Sequence, residues 1–314
     1  MPSFNVVNYS LRPNKGIQRA LVFEGTKILQ EKISLQNLVY VGFGSIWFSD
    51  FVLAHKILNI RDMISIEDDD IGFERAKFNK PYKTICVKHA LSTDALQALR
   101  ADEKFATRPW MVWLDYDGRL DETVIEDLRF VVENAPPNSI LLTTFNADGR
   151  KYGRPKHRIR RIRDLLGDIV PDELVREDVD EDNLSMTLAN LVRDYLISTA
   201  STISRPGGFV PAFHALYRDG ASMVTIGGVL PSRGDLPQVR QIVLAQDWIG
   251  IAPMPVVAPQ LTLKEAAVLQ AELPRSRRLT RASVRRVGFD LEEHHIKAFE
   301  MYYRFYPAFA QIST

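Results

Sequence analysis

Apolar and polar positions follow two alternating periodicities from residue 38 to about residue 146. Short, almost continuous apolar runs predict buried strands, and the segments between them carry apolar residues at the spacing of amphipathic helices. The predicted strands are Leu38–Val41, Met63–Ile66, Lys83–Lys88, Trp110–Leu114 and Ser139–Phe145. Five strands that alternate with helices predict a parallel, doubly wound α/β sheet.

The helices between these strands have recognisable limits. The first carries its apolar residues at helical spacing, namely Trp47, Phe51, Ala54, Ile57 and Leu58. Ser92 or Thr93 is expected to cap a later helix, and a further helix is expected from about residue 121 to residue 133.

The regular alternation ends after Asn146. Residues 147 to about 218 are expected to form a helical insertion, with one helix around Leu184–Ser201. The apolar runs Ser222–Leu230 and Gln241–Gln246 are joined by a short, turn-rich segment. We expect them to form an antiparallel hairpin, because so short a link cannot hold a crossover helix. This hairpin would complete a mostly parallel, seven-stranded, Rossmann-like sheet.

A proline-rich segment at residues 252–259 suggests a division of the chain. Residues 1–259 are expected to form the Rossmann-like, ligand-binding domain, and residues 260–314 a small helical C-terminal cap. The cap begins with a helix start at Leu261–Glu265 and ends in an aromatic helix, Phe299–Phe309. We interpret these aromatic residues as core packing, because buried helices require such spacing.

The composition describes a folded protein with a full core, since 46% of the 314 residues are hydrophobic and 25% are charged. No apolar run reaches the ~18 residues of a membrane helix, and the N-terminus lacks the pattern of a secretory signal. We therefore expect a cytoplasmic protein. Cys86 is the single cysteine, which excludes an intrachain disulfide, and its apolar surroundings predict a buried, inert thiol.

A candidate ligand site follows the first two strands. Gly42-Phe43-Gly44-Ser45 comes after the first strand and the acidic run Glu67–Asp70 after the second. In Rossmann-like sheets such glycines let the backbone approach the ligand, and the acid binds ribose hydroxyls. A pyrophosphate requires a small third residue in this loop, but Trp47 stands there, or Ile46 or Phe48 with a shift of one. The sequence therefore favours an adenosine ligand without a pyrophosphate, such as S-adenosylmethionine (SAM), over NAD; a structural turn without a ligand is the alternative.

The chain combines these features with an acid at the end of strand four and a terminal hairpin. In this combination it resembles class I SAM-dependent methyltransferases over about residues 38–248. More narrowly, it resembles a little-characterised bacterial family of O-methyltransferases. That narrower resemblance rests on the segments Tyr9–Lys15, Gly42–Ser45 and Tyr303–Pro307. It implies methyl transfer from SAM, O-directed, to an acceptor that the sequence does not identify.

The resemblance also implies roles for individual positions. Glu67, with Asp68 as the alternative, would bind the ribose hydroxyls, and His89 and Ala90 would lie along the adenine. The acid that usually precedes the first glycine is replaced by Tyr40-Val41, so we expect basic residues near the N-terminus to bind the SAM carboxylate. The cofactor-binding candidates are Arg12, Lys15, Gly42, Phe43, Gly44, Ser45, Glu67, Asp68, His89, Ala90 and Asp115.

Asp115 and Asp117 are the catalytic candidates. In one mechanism they join Asn146 or Asp148 as oxygen ligands of Mg²⁺, which lowers the pKa of a substrate hydroxyl. In a second, Asp115 alone orients an amine or acts as a base, although Tyr116 stands where amino-methyltransferases carry a proline. A third interpretation has Asp115 only contacting SAM and Asp117 starting the next helix.

Two basic runs, at residues 150–163 and 275–286, are candidates for binding a phosphate backbone. The acidic run at residues 168–182 is expected to neutralise the first, and the isoelectric point is about 7.8, so nucleic acid is not favoured as a partner. No membrane partner is expected, and self-association stays open. The rival functions are a non-catalytic SAM- or nucleotide-binding module of a bacterial multiprotein system and an NAD-linked oxidoreductase, which Trp47 disfavours.

Overall fold

The computed structural model describes residues 12–33, 35–275 and 277–307. Its centre is a seven-stranded sheet with the strand order β3-β2-β1-β4-β5-β7-β6. The strands are β1 (Val39–Gly42), β2 (Asp62–Glu67), β3 (Ile85–His89), β4 (Trp110–Arg119), β5 (Ser139–Asn146), β6 (Val210–Arg218) and β7 (Ser222–Leu230). Strands β1 to β5 are parallel, and β7 runs antiparallel to both β5 and β6. The predicted mostly parallel, Rossmann-like sheet with an antiparallel hairpin is confirmed.

Helices cover both faces of this sheet. They are α1 (Pro13–Lys32), α2 (Ser49–Leu58), α3 (Asp70–Asn79), α4 (Ser92–Ala101), α5 (Glu122–Asn134), α6 (Gly149–Tyr152), α7 (Pro155–Leu166), α8 (Leu184–Thr202), α9 (Leu236–Val243), α10 (Leu263–Ala271), α11 (Arg281–Arg286) and α12 (Glu293–Tyr302). The apolar residues of β4 alternate between two cores: Trp110 and Val112 pack with α4, α5 and α8, and Trp113 packs with α1, α2 and α9. Burial on both faces explains why this strand is apolar throughout.

One of the two strands of the hairpin differs from the predicted one. Gln241–Gln246 is not a strand: α9 ends within it, and Val239, Ile242 and Val243 are buried at helical spacing. The partner of β7 is β6, which lies inside the segment predicted as a helical insertion. Asp219-Gly220, a dipeptide typical of hairpin turns, joins the two strands and was the overlooked signal.

Two smaller predictions are wrong, and one alternative interpretation is excluded. Cys86 is exposed, because β3 is the edge strand of the sheet and this side chain faces solvent. Neither Ser92 nor Thr93 caps α4; the N-cap residue is Leu91, and the Thr93 hydroxyl donates to Asp127 at 2.8 Å. Helix α5 starts after Asp121, whose carboxylate accepts from a backbone N–H, and so Asp117 does not begin a helix.

The C-terminal helices α10 to α12 surround a small apolar cluster of their own that includes Leu269, Val284 and Phe299. Tyr302 is buried, and its hydroxyl donates to the carbonyl oxygen of Met254 at 2.7 Å. In the aromatic segment, Phe299 and Tyr302 therefore pack in the interior, as expected. The α-helix ends at Tyr302, earlier than predicted, and Tyr303, Phe305 and Tyr306 after it are only partly buried. Residues 308 and 309 of that segment, and residues 9–11 of the N-terminal one, lie outside the described residues. The domain division at residue 259 stays a prediction.

Among the helices that the structure describes, none is both long and apolar enough to cross a membrane.

Candidate functional site

A cleft with a cavity volume of about 930 Å³ opens at the carboxyl ends of β1, β2 and β4. Strand β1 lies between β2 and β4, so the order of the strands reverses here. Open α/β sheets bind their ligands at such switch points. Three segments line the cleft: the first loop at residues 43–45, the second loop at residues 67–69, which begins with the last residue of β2, and residues 115–117 in the last part of β4. Lys15 and Arg19 reach the cleft from α1.

The glycines of the first loop are required by the packing of the chain itself. A Cβ atom on Gly44 would lie 2.6 Å from both the Phe48 ring and the Ser65 hydroxyl. The Gly44 N–H donates to that hydroxyl at 3.1 Å, which holds the loop against β2. Gly42 lies behind the loop, where a Cβ atom would be 3.0 Å from the Trp113 carbonyl oxygen. Both glycines thus allow tight packing within the protein, whereas the sequence pattern assigned them to ligand approach.

Ser45 has two features that indicate a ligand position. Its φ of 51° places it in the left-handed region, which is uncommon for residues other than glycine. Its Oγ atom is buried and has no hydrogen-bond partner among the described residues. Backbone strain and unsatisfied polar atoms are typical of ligand sites, so Ser45 fits a polar ligand group.

Lys15 and Asp115 form a buried ion pair in the cleft. The Lys15 Nζ atom lies 2.6 Å from Oδ1 and 2.5 Å from Oδ2 of Asp115. Burial lowers the pKa of Lys15, but the carboxylate of Asp115 and the phenol of Tyr217 outweigh it, and the pKa is raised above its ordinary value. Arg12, the other basic candidate, lies at the turn between β6 and β7, where it donates to the Asp219 carbonyl oxygen at 2.6 Å.

Asp50 is a residue of the cleft that the sequence reasoning missed. The Tyr40 hydroxyl donates to Asp50 Oδ2 at 2.5 Å, and Asp50 is only 8% exposed. Burial raises the pKa of both groups. The resemblance implies an acid at Tyr40-Val41, and Tyr40 instead binds a carboxyl group from the first turn of α2. A tyrosine in a buried strand requires a hydrogen-bond partner, which was the available signal.

The second loop provides part of the expected adenosine site. Glu67 is half-buried, and its Oε1 atom accepts from the Asp69 N–H at 3.3 Å. Burial raises the pKa of Glu67. Asp68 and Ala90 line the cleft beside it. His89 points toward α3 instead, with its ring stacked on Phe73 at a centroid distance of 4.8 Å.

In the last part of β4, the side chain of Tyr116 is held by a hydrogen bond and that of Asp117 is exposed. Tyr116 donates to Asp127 at 2.5 Å, and its ring lies 5.1 Å from that of Phe43. Asp117 is exposed at the mouth of the cleft. Trp47, which helical spacing assigned to the first helix, lies before α2 because Phe48 has a φ of 49° and the helix begins only at Ser49. The indole is 40% exposed and also lines the cleft.

The acids at this edge do not fit the expected Mg²⁺ site. Lys15 already neutralises Asp115, and Arg150 pairs with Asp148 at 2.5 Å. Hydrogen bonding to Arg150 lowers the pKa of Asp148 to about 2. Over the described ranges, the group of three histidine, cysteine or acidic side chains whose ligand atoms lie within 4.8 Å of one another is Glu292-His294-His295, on the C-terminal helix α12.

Comparison with known proteins gives one family. A family model described as "Putative O-methyltransferase" matches residues 7–314. No curated protein matches the sequence.

Several solved structures are similar to this chain. Trm1 from Pyrococcus horikoshii with S-adenosyl-L-methionine has 13% identity and a TM-score of 0.46, over 92% of this chain and 82% of that one. An O-methyltransferase from Bacillus cereus in complex with SAH has 12% identity and a TM-score of 0.42, over 72% and 84%. An O-methyltransferase described as putative, from Klebsiella pneumoniae, has 14% identity and a TM-score of 0.40, over the same shares.

Proposed function

Because this chain belongs to the O-methyltransferase family and is a SAM-dependent methyltransferase, we propose that the cleft at β1, β2 and β4 binds SAM and that the acceptor is a hydroxyl group. The supporting observation is the distribution of charge. The buried cation Lys15 and the buried carboxyl Asp50 lie on the α1 and α2 side of the cleft, and Glu67 lies at the end of β2. SAM carries a carboxylate and an ammonium at one end and a ribose diol toward the other. Lys15 and Asp50 complement the charges of the first end, and Glu67 complements the diol.

In this proposal each side chain holds one part of the cofactor. Lys15 binds the carboxylate of SAM, and Asp50 binds the ammonium in place of the missing acid at Tyr40. The Ser45 hydroxyl gains the hydrogen-bond partner that it lacks within the described chain. Glu67 accepts hydrogen bonds from the ribose hydroxyls, because a carboxylate has two acceptor oxygens. SAM, once bound, supplies an electrophilic methyl group.

The chain must then align the acceptor and remove its proton. Both oxygens of Asp115 contact Lys15, so we assign Asp115 to positioning Lys15 rather than to proton transfer. Asp117 lies exposed at the mouth of the cleft, and we assign it as the general base for the acceptor hydroxyl. We assign no step to Mg²⁺, because two of its four expected ligands, Asp115 and Asp148, are engaged by Lys15 and Arg150. A cytoplasmic location remains part of the proposal.

Calorimetry and isotopic methyl transfer test the proposal. Calorimetry is performed with SAM, SAH and NAD, and transfer of labelled methyl groups from SAM is measured in cell extract. The variants are Asp117→Asn and, as a matched control, Asp94→Asn, which lies exposed on α4. We expect SAM and SAH, but not NAD, to bind all three proteins. Transfer should fall at least about 100-fold in Asp117→Asn alone, the usual contribution of a general base.

Three results would contradict the proposal at different points. Failure of SAM to bind would remove the cofactor site. Binding without transfer by the wild-type protein would support a non-catalytic module. Transfer that persists in Asp117→Asn would exclude this residue as the base.

A further inference from the structure

The segment after β5 carries a row of exposed cations on α6 and α7. We define the basic face as Lys151, Arg154, Lys156, Arg160 and Arg161, all of which are exposed. The opposite side of α7 is buried, with Arg158, Ile162 and Leu166 between 1% and 4% exposed. Helical spacing thus brings Lys156, Arg160 and Arg161 onto the solvent side of α7, together with the acid Asp164, and Arg154 is the N-cap residue of this helix.

The acidic run that follows does not neutralise this face. Some of its carboxylates serve local structure: Asp178 accepts from the Val175 N–H at 2.9 Å, and Asp180 accepts from two backbone N–H groups. Asp172 lies 3.8 Å from Arg163, which is not part of the basic face. Glu181 pairs with the buried Arg158, on the other side of the helix. Within the described part of the chain, none of the five cations of the basic face has a carboxylate within 4.0 Å. The expectation of mutual neutralisation is therefore wrong for this face.

The second basic run of the sequence also has carboxylate partners. Arg281 and Arg285 share Asp290, at 2.7 and 3.0 Å, and Arg275 contacts Glu272 at 3.2 Å. This run is thus partly neutralised by its own surroundings.

The basic face continues to the mouth of the cleft. Arg119 lines the cleft, and its guanidinium donates to the carbonyl oxygen of Lys151 at 3.1 Å. A polyanion on α7 would therefore extend toward the end of β4, where Asp117 lies.

We propose that the basic face binds the phosphate backbone of a nucleic acid. Neighbouring exposed cations that have no carboxylate within 4.0 Å among the described residues suit a chain of phosphates, and their binding releases counterions from it. An anionic membrane is a poorer match, because interfacial helices insert an apolar side and that of α7 is buried in the protein. The proposal does not depend on methyl transfer, since binding to α7 requires no cofactor.

Fluorescence anisotropy with labelled single-stranded RNA and DNA tests this proposal. The test variant is Lys156→Glu/Arg160→Glu/Arg161→Glu in the full chain. The control is Lys83→Glu/Lys88→Glu/Arg100→Glu, which changes the net charge equally on the exposed surface around β3 and α4. Thermal unfolding and SAM binding verify that both variants fold. Vesicles rich in anionic lipid provide the membrane comparison.

We expect the wild type and the control to bind nucleic acid, and the test variant to bind at least about tenfold more weakly at 0.1 M salt. The slope of log affinity against log salt should decrease by about 2, as expected for three lost contacts to a single strand. Equal binding by the test variant and the control would overturn the proposal. So would binding of the wild type to vesicles but not to nucleic acid.

Discussion

Lys15 and Asp115 are 100 residues apart in the chain and meet in a buried ion pair at 2.6 Å. The pair connects α1 to the carboxyl end of β4, the central strand of the sheet. Lys15 is 4% exposed and Asp115 is 20% exposed, so the cation is buried and the carboxylate is partly open to the cleft. The pair therefore affects both the stability of the fold and the charge of the cleft.

Removal of the cation should destabilise the protein. Lys15→Met keeps the length of the side chain but leaves the Asp115 carboxylate uncompensated. We expect the free energy of unfolding to fall by about 3 kcal/mol, the lower end for a broken buried pair. Urea denaturation measures the change. Lys56→Met, on the exposed side of α2, is the control and should change the free energy by less than about 0.5 kcal/mol. Similar values for both variants would contradict the assigned role of the pair.

The contribution of Lys15 should disappear at alkaline pH. Its pKa is raised above the ordinary value of 10.5, so the folded state holds this proton more tightly than the unfolded state. The stabilisation is complete below 10.5 and is lost as the pH rises through the folded-state pKa. The difference in unfolding free energy between the wild type and Lys15→Met should be constant between about pH 7 and 9 and then decrease. A difference that persists unchanged at higher pH would argue against an ion pair.

Asp50 should lower the stability of the ligand-free protein and strengthen the binding of SAM. Burial raises its pKa, so the ionised carboxyl is held at a cost to the folded protein. Asp50→Asn preserves an acceptor for the Tyr40 hydroxyl and removes this cost. We expect a gain of about 1 kcal/mol in unfolding free energy of the ligand-free protein and at least about tenfold weaker SAM binding. Unchanged affinity in calorimetry would exclude Asp50 from the cofactor site.

Gly44 should not tolerate even a methyl group. In Gly44→Ala the added carbon would approach the Phe48 ring and the Ser65 hydroxyl to 2.6 Å, so the loop must move. We expect SAM binding to be lost, and Gly44→Ala/Phe48→Leu to restore part of it by making room. Gly234→Ala is the matched control, because its nearest neighbour would be 3.8 Å away. Normal SAM affinity of Gly44→Ala would show that the loop conformation is not needed.

Trp47 should report on occupancy of the cleft. Its indole is 40% exposed and lines the cleft, whereas Trp110 and Trp113 are buried in the sheet. We expect SAM to change the tryptophan fluorescence of the wild type. The change should be absent in Trp47→Phe, while calorimetry still detects binding. A full response in that variant would place the ligand away from the first loop.

The prediction of strands from sequence succeeded where burial on both faces leaves an apolar run, as in β4 and β5. It failed at the sheet edge. The run around Ile242 is equally apolar but forms a helix, and β6 was missed because its outer positions are only partly buried. A short apolar run does not by itself indicate whether the segment forms a buried helix or a buried strand. Pro237 in the first turn of α9 was the local clue to a helix.

The sequence by itself determined the parallel sheet, the loop after β1 and the acid after β2, because strand periodicity and short-range spacing are local properties. Only the tertiary structure placed Lys15 against Asp115 and Asp50 against Tyr40, and only it left the basic face without a carboxylate partner among the described residues, while Arg158 and Arg163 of α7 pair with the acids that follow. These contacts depend on how α1 and α2 pack against the sheet and on which side of α7 faces solvent. Packing joins residues that are distant in sequence, and a single chain carries no local signal for such a meeting.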